Sequence, residues 1–333
     1  MRTFISLVLF LLLSSFSCTG AFAQDSDDVI RVDTDVTNLP FTAVDRQHRF
    51  LTNLQEQDLR VLEDGVPQKL FTFQRETDRP LAIAFLIDVS ASQENTLPIE
   101  KAAARLFIER VIKSEKDQAA ILPFTGAAYV EQNFTRDVLG LYHALERVEV
   151  ALPDYVGSGK PLTGIPTGPG MKAPPIEGTT AIWEAIALTS SELLEKAAGQ
   201  RRRVIILVSD GWDTSSRIAM KEAVNQVLAA EAVVYSIGIG DKKQEGVDRD
   251  SLRSIAEHTG GRAFFPKNEA DMQSAFSAIE EELRTQYLIA YSSSNKKHDG
   301  TYRKIEIEVT NPDLKKERIE LRHRPGYFAK RER

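Results

Sequence analysis

Three residues in one stretch carry oxygen donors in a pattern that suits a hard cation, and two further short stretches bear on the reading below. Asp88, Ser90 and Ser92 stand at alternate positions in LAIAFLIDVSAS (81–92). Thr180 closes the stretch Gly178-Thr179-Thr180, and Asp210 opens Asp210-Gly211-Trp212-Asp213. One carboxylate beside two hydroxyls offers ligands for Mg²⁺, Mn²⁺ or Ca²⁺, not for the softer ions zinc or copper. Each stretch also has an ordinary reading. Thr180 has the residue type of a helix N-cap, and Asp213 that of a turn or helix cap.

Such donors need rigid elements to bring them together. Leu81 to Ile87 is an unbroken apolar run, as expected of a strand buried on both faces of a parallel sheet. Arg203 to Ser209, Ala119 to Phe124 and Ala232 to Ile239 read the same way. Asp88 and Asp210 each follow such a run, at the carboxyl edge where open α/β sheets bind ligands. Between the strands, the pattern predicts a helix opened by Thr96 and Pro98, with Ile99, Ala102, Ala103, Leu106 and Phe107 on one face. It predicts further helices over Val138 to Val148, from Ala181 with Ile182, Ile186, Thr189 and Leu193 on one face, over Leu252 to His258, and over Ala270 to Thr285. Tyr129 to Phe134 is expected as an antiparallel edge strand, and Arg262 to Phe265 as the last strand of the sheet. Ala151 to Gly178 is rich in Pro and Gly and reads as a long irregular loop leading into Thr180, either a tolerated surface insertion or a segment placed to offer a partner Met171 and Ile176. His258 is expected at the surface.

Both flanks alternate apolar and polar residues instead. Ile30 to Val36, Phe41 to Val44, Leu59 to Glu63 and Lys69 to Phe73 read as short strands, with a hairpin turn at Asp64-Gly65. After the last helix, Tyr287 to Tyr291, Tyr302 to Val309 and Arg318 to His323 do the same. The expectation is a doubly wound α/β domain over 80–286, inserted in a small β-sandwich whose halves are residues 29–75 and 287–328.

Asp88-x-Ser90-x-Ser92 is the signature of a metal-ion-dependent adhesion site, and on it the chain resembles the von Willebrand factor type A (VWA) family. The stretches DLRVLEDGVPQKLFTF, RPLAIAFLIDVSAS and RHRPGYF resemble a bacterial secreted group of that family often found in acidobacteria. The resemblance implies a metal held by Asp88, Ser90, Ser92, Thr180 and Asp210, with the serines binding directly and the aspartates largely through water. Thr179 stands where the family more commonly has Gly. It further implies a non-catalytic module whose cation, Mg²⁺ or else Mn²⁺ or Ca²⁺, takes an Asp or Glu oxygen from a protein partner. Two other readings stand beside it. One is a Mg²⁺-dependent phosphohydrolase with Asp88 as nucleophile, although Ser90 occupies the place of the usual second acid. The other is a structural module whose metal braces loops.

Composition narrows the surroundings. The chain has 333 residues, 27% charged, with a formal net charge of −6, which leaves no basic footprint for nucleic acid. Residues 1–23 have the form of a signal peptide, with Arg2, the apolar Leu7 to Leu13 and Ala21-Phe22-Ala23 before Gln24. No later stretch is apolar enough to be expected to cross a membrane. Export to the periplasm or the outside is therefore expected. The single cysteine, Cys18, falls within that leader, so no disulfide is expected in the mature chain.

Overall fold

The computed structural model describes residues 36–47, 49–75, 79–112, 116–151, 160–161, 179–197, 201–240 and 246–331. The expected leader, the expected strand from Ile30 and most of the loop 151–178 lie outside them.

Four strands come first: β1 (Val36–Val44), β2 (Leu59–Glu63), β3 (Val66–Pro67) and β4 (Leu70–Arg75). The α/β portion then runs β5 (Leu81–Asp88), α1 (Leu97–Val111), β6 (Gln118–Phe124), β7 (Tyr129–Val130), β8 (Gln132–Thr135), α2 (Val138–Arg147) and β9 (Lys160–Pro161). It continues through α3 (Ile182–Leu188), β10 (Arg202–Ser209), α4 (Met220–Ala229), β11 (Ala232–Gly238), α5 (Arg249–Thr259), β12 (Ala263–Phe264) and α6 (Glu269–Thr285). The carboxyl-terminal part holds β13 (Tyr287–Ser292), β14 (Tyr302–Val309), α7 (Pro312–Glu317), β15 (Glu320–His323) and β16 (Gly326–Phe328).

The central sheet has the order β12-β11-β10-β5-β6-β8. Its pairs are parallel except β6 with β8, the expected antiparallel edge. Every residue of β5 is buried, because the two faces of the strand enter different cores. Leu81, Ile83, Phe85 and Ile87 pack with residues of α1, α2 and α6. Ala82, Ala84 and Leu86 pack with residues of α3, α4 and α5. Two covered faces are why the run is apolar throughout instead of alternating.

The flanking strands form two further sheets, β15-β1-β13-β4 and β16-β14-β2-β3, each mixing strands from before and after the α/β portion. Leu39, Phe41, Val61, Tyr287, Ile289, Tyr291 and Ile305 share one core, with the rings of Phe41 and Tyr287 stacked at 5.1 Å. The fold is thus a doubly wound, mostly parallel sheet between helices, accompanied by a β-sandwich built from both ends of the chain.

Several local expectations need correction. Phe41 to Val44 is not a second strand but the end of β1, which passes through Pro40 without a break. The buried face of α1 is Leu97, Glu100, Ala103, Ala104, Phe107, Ile108 and Val111, while Ile99 and Leu106 are exposed. Ala103 and Phe107 are common to the expected and the observed face, and Ala104, Ile108 and Val111 join them in the core in place of Ile99, Ala102 and Leu106. Tyr129 to Phe134 is split into β7, which pairs with β9, and β8. Helix α7 is too short and too exposed to leave an apolar periodicity in the sequence. Asn311 caps it, and Arg318 ends it in the left-handed region, so β15 starts later than Arg318.

Candidate metal centre

Three loops at the carboxyl edge of the central sheet meet here. Asp88 closes β5 and is completely buried. Its Oδ1 accepts from the Ser90 amide at 3.0 Å and its Oδ2 from the Ser209 hydroxyl at 2.6 Å. Burial raises its pKa to about 6; hydrogen bonds from Ser209 and Ser90 work against the rise and the charge of Asp210 adds to it. Both carboxylate oxygens are therefore already oriented by neighbours.

Ser90 and Ser92 lie with their Oγ atoms 3.0 Å apart, and the Ser92 hydroxyl donates to Asp210 Oδ2 at 2.6 Å. A hydroxyl carries one hydrogen. With that of Ser92 directed at Asp210, Ser90 is the donor to Ser92. The result is one directed chain, Ser90 to Ser92 to Asp210. Asp210 Oδ1 accepts from the Trp212 amide at 3.1 Å, and Gly211 between them has φ +88, where glycine is favoured. The structure thus joins Ser90, Ser92 and Asp210 directly, and joins Asp88 to them through the Ser90 amide.

Thr180 is buried and belongs to the same edge. Its backbone fixes its place. The Thr180 amide donates to Thr214 Oγ1 at 2.8 Å, and its carbonyl accepts from the amides of Thr214 and Ser215. On the other side, the Thr125 hydroxyl donates to the Thr179 carbonyl, and the Ala181 amide to the Thr125 carbonyl. Thr180 is not the N-cap of α3. Ala181 holds that position, and Asp213 Oδ2 and Ser216 Oγ accept from the Trp183 amide instead. Asp213 is a helix cap, as its residue type allowed, but it caps a helix from another loop.

Three supporting residues are not singled out by the sequence. Ser209 precedes Asp210 in β10 and reads only as the last residue of a strand. Gln93 is fully buried, accepts from the Thr96 hydroxyl at 2.8 Å and reaches Ser92 Oγ with its Nε2 at 3.4 Å. Glu100 on α1 is a buried carboxyl in the neighbourhood of Asp88 and Asp210. Its signal is a charged residue within two turns of Leu97 and Phe107, but it reads as ordinary solvated helix until the helix is placed. His258 is exposed, as expected.

Hydroxyls and carboxylates thus gather at the carboxyl edge of a doubly wound sheet, where α/β proteins bind ligands. Two family models, each described as the von Willebrand factor type A domain, match residues 83–212 and 171–278. The α/β portion of the chain is a VWA domain. Among solved structures it is similar to proximal thread matrix protein 1 from the mussel byssus with a zinc-occupied MIDAS motif. That match has 17% identity, covers 66% of this chain and 50% of that one, and has a TM-score of 0.50. The chain therefore spans about half the length of the mussel protein. It is also similar to a von Willebrand factor type A protein from Catenulispora acidiphila, at 12% identity, covering 78% and 72% of the two chains with a TM-score of 0.47. An aerotolerance-related membrane protein from Bacteroides fragilis matches at 18% identity, over 61% and 98%, with a TM-score of 0.45. No curated protein matches the sequence.

Proposed function

We propose that this chain is an exported, non-catalytic module that binds a protein partner through a divalent cation. Ser90, Ser92 and Thr180 would hold the ion directly, with Asp88 and Asp210 supporting it. The observation that carries the reading is the chain from Ser90 through Ser92 to Asp210, since three oxygen donors already converge where the family's site is expected. All the donors are oxygens, and among the described residues no cluster of three or more His, Cys, Asp or Glu forms a rival site. That donor set fits Mg²⁺ or Mn²⁺, with Ca²⁺ also accommodated by oxygen ligands. The mussel neighbour is described with zinc in its motif, so zinc belongs in the comparison of ions.

When bound, the cation supplies an electrophilic point that a partner's Asp or Glu oxygen can complete. The protein's own residues prepare it. Ser209 and the Ser90 amide hold both oxygens of Asp88, so Asp88 acts through its charge from beneath. Asp210 takes the Ser92 hydrogen, so an ion would replace the Ser90 hydroxyl and Gln93 Nε2 at the lone pairs of Ser92. Trp212, partly exposed next to Asp210, offers apolar surface at the rim. The same geometry weighs against Asp88 as a nucleophile for phosphoryl transfer, because its oxygens are engaged and its side chain is buried. Among the described residues no helix is long and apolar enough to cross a membrane, which is compatible with export but leaves the leader as the support for it.

Titration calorimetry with Mn²⁺ and Mg²⁺ tests the site. One ion should bind the wild-type protein, and Ser92→Ala should weaken binding by roughly tenfold or more while the thermal transition stays in place. Unchanged affinity would remove the assignment. Capture of a partner in Mg²⁺ but not in EDTA, with loss in Ser92→Ala, would separate the adhesion reading from a loop-bracing metal.

A further inference from the structure

Helix α1 carries a glutamate that the fold does not otherwise use. Glu100 is 2% exposed, and neither of its carboxylate oxygens has a hydrogen-bond partner among the described residues. Burying an unpaired carboxyl is unfavourable, and native proteins normally supply a partner. Other buried acids of this chain have one. Glu63 accepts from Tyr291, Ser293 and Tyr327, and Glu282 from Tyr235 and Arg262. Glu184 pairs with Arg217.

The surroundings of Glu100 show what is missing. Its pKa is raised to about 8, first by burial; the nearby Thr96 hydroxyl opposes the rise, and the charges of Asp88 and Asp210 add to it. The two charges that act on it are thus the two aspartates of the candidate metal centre. Its backbone amide donates to the Thr96 carbonyl at 3.1 Å, and the Thr96 hydroxyl donates to Gln93, which reaches Ser92. No described cation pairs with it, although Lys101 is adjacent in sequence. The Lys101 ammonium turns away to the carbonyls of Glu146 and Val148. Glu100 therefore stands in the field of Asp88 and Asp210 with no partner of its own among the described residues.

We infer that Glu100 is a positioning residue for the cation: a third buried negative charge that raises the affinity of the site for a divalent ion without ligating it. This rests on the metal-binding reading proposed above. An ion held through hydroxyls receives little charge from its direct ligands, and a carboxylate in the low-dielectric interior beside it acts strongly through space. In the protein without metal nothing compensates that charge, so the folded chain holds the proton up to about pH 8 and loses stability relative to the unfolded chain, which releases it sooner. The residue thus trades stability of the metal-free fold for metal affinity.

The test uses the full-length protein, with Mn²⁺ as probe, and three variants. Glu100→Gln removes the charge at nearly constant shape, Glu100→Asp keeps it, and Ser92→Ala reports on the site itself. The expected result at pH 8 is Mn²⁺ affinity roughly tenfold weaker or more in Glu100→Gln, and closer to wild type in Glu100→Asp. In chelator, Glu100→Gln should melt at a higher temperature than wild type. That opposition, weaker metal binding with a more stable metal-free fold, is one that a purely structural glutamate would not produce. Equal Mn²⁺ affinity in wild type and Glu100→Gln, with Ser92→Ala impaired, overturns the role of Glu100 and leaves the metal site standing. A destabilised or unfolded Glu100→Gln overturns it as well. Absence of Mn²⁺ binding to wild type overturns both.

Discussion

At the scale of single residues, the chemistry of the site lies in which hydroxyl donates to which oxygen. Ser92 hands its hydrogen to Asp210, Ser90 hands its own to Ser92, and Ser209 holds Asp88 from below. Glu100 has no such donor, and this gives its ionisation a measurable consequence. Its folded-state pKa, about 8, lies above the ordinary carboxyl value of 4.5. The unfolded chain therefore releases this proton first. Glu100 does not weaken the fold below the unfolded value, weakens it progressively as pH rises, and reaches its full effect above the folded value. In chelator, the stability difference between Glu100→Gln and wild type should widen from pH 5 to pH 8 and then level off. Its size should be on the order of a few kcal/mol, because a tenfold difference in proton affinity between folded and unfolded chain corresponds to about 1.4 kcal/mol. Denaturant titrations across that range check it, and a difference independent of pH would contradict an ionisable buried Glu100.

At the scale of elements, the site depends on loops that hold one another instead of on any one strand. Asp213 and Ser216, beyond β10, cap the first turn of α3, and Thr214 grips both backbone groups of Thr180. Gly211 is the joint of this arrangement. It has φ +88, and a Cβ there would lie 2.7 Å from the Asp248 carbonyl and 2.8 Å from Leu252 Cγ. Gly211→Ala should cost roughly 1–3 kcal/mol of stability, the usual range for a strained backbone position. It should also weaken Mn²⁺ binding, because Asp210 cannot keep its bond to Ser92 if the loop shifts. Thermal melts and calorimetry on the same sample read the two effects. A stable variant with wild-type affinity would show that the loop tolerates the shift.

At the scale of the whole molecule, the β-sandwich joins the two ends of the described chain. β1 lies between β13 and β15, and β14 pairs with β2. Removing residues 24–75 would strip β1 to β4 from these sheets and expose Tyr287, Ile289, Tyr291 and Ile305. The truncated protein should aggregate, and a monomeric product in size-exclusion chromatography would speak against a shared core. A gentler probe is Glu63, buried at the centre of the sandwich with Tyr291, Ser293 and Tyr327 donating to it. Glu63→Ala takes the acceptor from the buried Tyr291 hydroxyl and one from Tyr327 and Ser293, of which Ser293 also reaches the Asn295 carbonyl. It should cost about 1–3 kcal/mol, the range for one unsatisfied buried group. Mn²⁺ affinity should hold, since the network is built from sandwich strands and not from the loops of the metal centre.

Much of this molecule is legible in the sequence, because burial on one face or two leaves a local pattern. The unbroken run Leu81 to Ile87 announces a strand with helices on both sides, and the alternation after Tyr287 announces half-buried strands. The spacing of Asp88, Ser90 and Ser92 marks one loop of the candidate site, and only the resemblance to the family adds Thr180 and Asp210. Tertiary structure alone decides what depends on partners far away in the chain. The face of α1 is set by the core it packs into, where Ala104, Ile108 and Val111 meet residues distant in the chain, which a helical repeat cannot see. The same packing buries Glu100 near Asp88 and Asp210, turning an apparently solvated charge into an unpaired one. Asp213 becomes the cap of a helix that precedes it, which frees Thr180 from that task. Periodicity records how each segment meets the interior, whereas a site records which segments meet each other, and only the folded chain carries that second kind of information.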